Sequence, residues 1–146
     1  MHIDIRQQAF DPWQELTAYR EHLSDSGRSG ACAVFVGTMR DHNEGDSVRS
    51  MILEHYPGMT ERQLETLVSA SCESHGLIDA LVIHRVGEIT PGEDIVLVAV
   101  WSAHRSAAFD ACREIMEALK STAPFWKKER LAGDKGERWV ERNTPG

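Results

Sequence analysis

The chain has 146 residues, 41% of them hydrophobic, and a formal net charge of -7, the size and apolar content of one domain around one core. That acidity excludes binding to nucleic acid or anionic membrane through the field of the whole molecule, so an anionic partner has to be met by a local basic patch. No stretch approaches about 18 consecutive apolar residues, and the start, "MHIDIRQQAF", lacks the apolar run of a signal peptide; the expectation is one domain over residues 1–146, cytoplasmic, without a membrane segment.

"HIDIRQ" alternates as a short strand. Asp11 and Pro12 then supply a cap and a first-turn proline for a helix with Trp13, Leu16, Tyr19 and Leu23 on its apolar stripe, ending near "SDSGRSG". "ACAVFVGTM" and "SVRSMILEHY" read as strands joined by the polar "RDHNEGD", which predicts a long hairpin. Pro57 and Gly58 break the second strand. Thr60 to Gln63 fit a capping box, opening a helix that buries Leu64, Leu67, Val68 and Cys72 and leaves at Gly76. "IDALVIHRVG" is a strand, "EITPGED" a turn and "IVLVAVWS" a buried strand. "HRSAAFDACREIMEALK" is a helix with Ala108, Cys112, Ile115 and Leu119 on one face. "FWKKER", a turn at "AGDKG" and "ERWVER" form a small hairpin at the edge of the domain, near residues 125–142. The switching between periods of two and about 3.6 makes the class mixed α and β. Cys32, Cys72 and Cys112 form no C-x-x-C pair and are expected as reduced, buried thiols.

Most chemical motifs are missing. "DHNEGD" has the wrong spacing for a calcium loop, the seven histidines include no H-x-x-x-H pair, and there is no G-x-S-x-G elbow, P-loop or G-x-G-x-x-G fingerprint. Two stretches remain. "WSAHRSAAF" places His104 and Arg105 where a strand meets a helix N-terminus, a position that favours anions; the same residues can equally be mere decoration of a helix start. "LKSTAPFWKKER" gathers Lys120, Lys127, Lys128 and Arg130 against one acid, Glu129. Lys127 and Lys128 point to opposite faces of a strand, so one can line a pocket while the other is solvated; a charged edge strand that discourages aggregation is the plain alternative. With Arg40 at the end of an apolar strand, Arg40, His104, Arg105, Lys120 and Lys127 would form a cationic pocket for a small polyanion or a partner's carboxylate terminus.

"GDSVRSMILEHYPGMTE", "VIHRVGEITPGE", "SAHRSAAFDA" and "LKSTAPFWKKE", in this order and spacing, resemble the MoaE family, the large subunits of molybdopterin synthase, over about Ala31 to Val140. The resemblance implies an α+β protein with an α/β hammerhead fold and an additional small antiparallel β subdomain. It also implies a homodimer within a heterotetramer that carries a small, MoaD-like, ubiquitin-like sulfur-carrier subunit at each end. Sulfur would pass from that carrier's C-terminal Gly-Gly thiocarboxylate to cyclic pyranopterin monophosphate, a sulfurtransferase reaction that builds the dithiolene of molybdopterin. No cofactor and no metal site is implied. The family's substrate-contacting positions fall on Thr38, Met39, Arg40, His104, Arg105, Lys120, Lys127, Lys128 and Glu129. Of these, Arg40, His104 and Arg105 would hold phosphate and pterin, and Lys120 and Lys127 would be catalytic, Lys120 as an electrostatic or general-acid group. Thr38 and Met39 stand where family members often carry a lysine, so one cationic contact is missing. Two rival functions stay open. A non-catalytic module for an acidic peptide terminus or phosphate ligand would use the same lysines. A nucleic-acid binder would need a broad basic face, which the acidic balance argues against.

Overall fold

The computed structural model describes residues 1–141, which form β1 (His2–Arg6), α1 (Pro12–Glu21), β2 (Ala31–Thr38), β3 (His42–Asn43), β4 (Asp46–His55), α2 (Met59–His75), β5 (Asp79–Arg85), β6 (Gly87–Ile89), β7 (Asp94–Ser102), α3 (Arg105–Ser121), β8 (Phe125–Leu131) and β9 (Glu137–Trp139). The strands divide into two sheets. One runs β1-β5-β7-β2; the other runs β3-β4-β8-β9, with β6 added against β4. This mixed α+β architecture, with a small antiparallel sheet beside a main one, is the class expected from the sequence.

Strand alternation explains why β5 and β7 read as unbroken apolar runs. Ala80, Val82, Val96, Val98 and Val100 face Leu64 and Val68 of α2 and Ala108, Ala111, Ile115 and Leu119 of α3. Leu81, Ile83, Leu97, Ala99 and Trp101 face the other way and are covered by Leu16, Tyr19 and Leu23, the last just beyond α1. With helices on both faces, both register positions are apolar along the centre of each strand. The smaller sheet has its own core of Met39, Val48, Met51, Leu53, Val86, Ile89 and Leu131.

Several local expectations need correction. The long hairpin of residues 31–39 with 47–56 does not form: β2 pairs with β7, and β4 with β8. The reversal lies later, at Glu44 and Gly45, whose φ of 51° and 81° suit a tight primed turn between β3 and β4, after the chain has left the main sheet. Part of "EITPGED" is strand, because β6 closes against Met51 to Leu53 of β4. Gly58, not Thr60, caps α2: the Glu61 carboxylate accepts from the Gly58 amide at 3.0 Å. The Thr60 hydroxyl accepts from the Tyr56 amide at 2.9 Å and donates to the Pro124 carbonyl at 3.3 Å, joining the helix start to the entry of β8. Trp13 is exposed, outside the apolar stripe of α1. Cys112 is buried and Cys72 partly so, but Cys32 is exposed because its strand lies at the sheet edge. The expected terminal hairpin is β8 paired with β9; Arg142 lies outside the described residues. Among the described residues no helix is long and apolar enough to cross a membrane.

Candidate active site

A cavity of about 350 Å³ opens between the two sheets, where α3 ends and β8 begins. Its walls come from three places: the exit of β2, the last turn of α3 and the inward face of β8. Helix α3 closes at Thr122, and Pro124 turns the chain into β8, so Lys120 and Lys127 arrive from adjoining elements. Alternation along β8 sends Phe125, Lys127 and Glu129 to the cavity, while Trp126, Lys128 and Arg130 do not line it.

Lys127 is half-buried, and its ammonium is pushed down to about 8, first by burial and then by the field of Lys120, with Arg40 acting in the same sense and Glu129 opposing. Lys120 and Lys127 line the same cavity, and the charge of Lys120 acts on Lys127. A neighbouring cation favours the neutral amine, so burial and the Lys120 charge act on Lys127 in the same sense. The site therefore couples a lysine near its neutral point to a second lysine, a pairing suited to proton transfer beside a developing negative charge.

His84 of β5 forms part of the wall and is missing from the residues singled out from sequence. Its ring stacks on Phe125 with centroids 4.0 Å apart, and Nδ1 lies 2.9 Å from the Arg85 carbonyl. A carbonyl only accepts, so Nδ1 carries the proton and Nε2 is left as an acceptor. Burial pushes the imidazole down to about 4, and Lys127 and Lys120 add to that effect. Its only sequence signal is one polar residue in the buried run "LVIHR", a pattern that ordinary core histidines share.

Glu129 lines the cavity, yet its carboxylate is already engaged: Oε1 and Oε2 each accept from Asn43 Nδ2 at 3.2 Å, and Oε1 accepts from Arg138 Nε at 3.1 Å. Thr38 donates its hydroxyl to Asp94 at 2.7 Å. The buried Met39 is held through its backbone, its amide donating to Glu93 O and its carbonyl accepting from the Gly92 amide, both at 2.9 Å. Arg40 extends into the mouth from there.

Thr38, Met39, Arg40, Lys120, Lys127 and Glu129 thus share one cavity. Three expected site residues do not join them. His104 and Arg105 are exposed at the start of α3, whereas Lys120 is in its last turn; fifteen residues at 1.5 Å each put Arg105 and Lys120 about 22 Å apart along the axis. Lys128 follows its strand alternation to the other face, pairs with Glu137 at 2.9 Å and sits 5.5 Å over the Trp139 ring. Residues 5–122 match the family model described as "MoaE protein". The chain is 52% identical over 141 residues to the molybdopterin synthase catalytic subunit of Ralstonia nicotianae, covering 95% of this chain and 76% of that one. Its fold superposes with a TM-score of 0.79 and 42% identity on the molybdopterin biosynthesis MoaE protein of Burkholderia ambifaria, covering 98% and 91% of the two chains. A complex of subunits 1 and 2 of molybdopterin-converting factor from Helicobacter pylori shares the fold at a TM-score of 0.78 and 22% identity, over 95% and 90%.

Proposed function

The chain belongs to the MoaE family, and from that premise we propose that its cavity is the catalytic site of a molybdopterin synthase. The enzyme transfers sulfur from the C-terminal thiocarboxylate of a small carrier subunit to cyclic pyranopterin monophosphate, in the cytoplasm. The observation that carries this reading is the convergence of Lys120, Lys127 and Arg40 on one cavity. The carrier tail enters between the sheets, and its sulfur bonds to a substrate carbon as the C–O bond from that carbon to the cyclic phosphate breaks, leaving the phosphate as a monoester held by its other oxygen. The carrier's carbonyl is then joined to that sulfur as a thioester, which water must cleave. Lys127, as the neutral amine, takes a proton from the attacking water. Lys120, as the ammonium, stabilises the oxyanion that forms at the carbonyl. The C–S bond to the carrier breaks, the carrier leaves as a carboxylate, and sulfur remains on the pterin. Arg40 binds the substrate phosphate, where a guanidinium offers paired donors.

A partner subunit fits the relationship to the Helicobacter pylori complex. A homodimer fits the other end of the fold. Strand β2 is an edge of the main sheet and exposes Val34 and Phe35, and α3 exposes Phe109. His104 and Arg105 of a second copy, docked on that edge, reach the cavity from which their own helix excludes them, and there they hold phosphate and pterin.

The test is reconstitution with thiocarboxylated carrier and cyclic pyranopterin monophosphate. Molybdopterin should form, and Lys120→Ala and Lys127→Ala should each slow its formation at least about 100-fold without preventing carrier binding. Carrier binding with no product would indicate the non-catalytic module instead.

A further inference from the structure

The cavity has one acidic side chain on its wall, Glu129, and the geometry around it poses a question. Residues i and i+2 of a strand share a face and lie about 7 Å apart, well within reach of a lysine and a glutamate. Lys127 and Glu129 therefore ought to pair. Among the described residues they do not: the only ion pair of Glu129 is to Arg138, at 3.1 Å. Glu129 is 6% exposed, so its carboxylate is fixed rather than averaged over solvent positions.

What fixes it is a cross-strand arrangement. Arg138 of β9 stands directly opposite Glu129 in the β8–β9 register. Its Nε donates to Glu129, its Nη1 to Asp46 Oδ2 at 2.9 Å, and its Nη2 to the Asn43 carbonyl at 2.9 Å, with Glu44 3.7 Å away. Asp46 is held in turn by Lys135. The guanidinium fork is thus anchored on three segments at once, the β3–β4 turn, β4 and β8, a rigid use of arginine that a lysine cannot copy. Asn43 completes the hold with its amide on both Glu129 oxygens.

We propose that Arg138 is a positioning residue for the cavity: by holding the Glu129 carboxylate against Asn43, it denies Lys127 the counter-ion that would fix it as an ammonium. The charged groups acting on Lys127 are Lys120 from α3, Arg40 beyond β2 and Glu129 on its own strand, with the neutral His84 from β5 and with His42 and Asn43 on the same cavity wall. The cations and burial prevail only while Glu129 is kept aside. Released, Glu129 swings to Lys127 and the amine form is lost. The functional meaning of this arrangement rests on the reading of Lys127 as a proton acceptor; its direct test does not.

That test is competitive acetylation of the intact protein with acetic anhydride over a pH series, with the Lys127 peptide read by mass spectrometry. The wild-type midpoint is expected near 8. Arg138→Gln should raise it by about one unit, leaving roughly tenfold less neutral amine at pH 7, whereas Glu129→Gln should lower it. The double variant decides the mechanism. If Arg138 acts through Glu129, Arg138→Gln/Glu129→Gln returns to the wild-type midpoint or below; if Arg138 acts through its own charge, the rise persists and the proposal is overturned. An Arg138→Gln midpoint at or below wild type overturns it as well. Should Arg138→Gln unfold, Arg138→Lys takes its place, with a smaller rise expected and the same two overturning results. Acetylation needs no substrate, so a failure here counts against the Arg138 assignment alone. The expected labelling pattern without molybdopterin formation counts against the functional reading alone.

Discussion

The main sheet and the small sheet are stabilised in different ways, and the difference separates holding the fold from doing the chemistry. In the main sheet, β5 and β7 are apolar on both faces and packed beneath three helices. The small sheet buries a modest core but is tied at its outer end by charge: Arg138, Lys135, Asp46 and Glu129 link β4, β8 and β9. Hydrophobic burial has no direction, so it can build a rigid support without specifying where a charge goes. Charge-assisted hydrogen bonds are directional, and in this fold they sit next to the lysine that must be aimed. The cavity lies on the boundary, with Lys120 supplied by the rigid side and Lys127 by the polar side.

The sharpest way to break this comparison is Lys127→Ala. It should lower the turnover number by at least about 100-fold, the usual contribution of a positioned acid or base, while the thermal midpoint moves by only a few degrees. Loss of folding instead would mean that the small sheet is more than a platform for its chemistry. Ile115→Ala probes the other region: a fully buried side chain of α3 is lost, at a cost of about 2–5 kcal/mol in denaturant unfolding, with turnover per folded molecule largely kept.

His84 links the two regions and yields a pH dependence. In the unfolded chain its imidazole titrates near the usual 6.5, whereas in the fold it is held at about 4. Between those values the unfolded state binds more protons, so stability falls as pH drops from 6.5 towards 4, by up to about 3 kcal/mol, and no further below that. His84→Gln should remove that component from stability measured across pH 4–7. The smallest effect concerns binding: Arg40→Ala should raise the apparent KM for the pterin roughly tenfold and leave the turnover number nearly unchanged. An unaltered KM would remove Arg40 from the phosphate site.

Strands β5 and β7 were legible from the sequence because burial on both faces leaves a continuous apolar signature in "LVIHR" and "IVLVAVWS". The helix over 105–121 was legible from its single apolar face. The β2–β4 pairing was misread for a physical reason: neighbouring strands with a polar connection look like a hairpin, and nothing local shows that the chain changes sheets before it turns at Glu44 and Gly45. At the site, Lys120 and Lys127 stood out as cations in an acidic chain, and β8 alternation separated Lys127 from Lys128. His84 stayed hidden because its neighbours are core residues. Arg138 was hidden because its meaning lies across the strand, in Glu129, Asp46 and Asn43, none of which is its neighbour in sequence. For His104 and Arg105 the sequence did not show that α3 sets them a helix length from Lys120 of their own chain.

The central claim is that Lys127 works as a neutral amine beside a charged Lys120. Its most direct test is the single-turnover rate of molybdopterin formation, with saturating thiocarboxylated carrier, measured across pH 6–9.5. The rate should rise with pH through a midpoint near 8, where Lys127 loses its proton, and the residual rate of Lys127→Ala should lack that rise. A rate that is flat, or that falls through the same range, would contradict it.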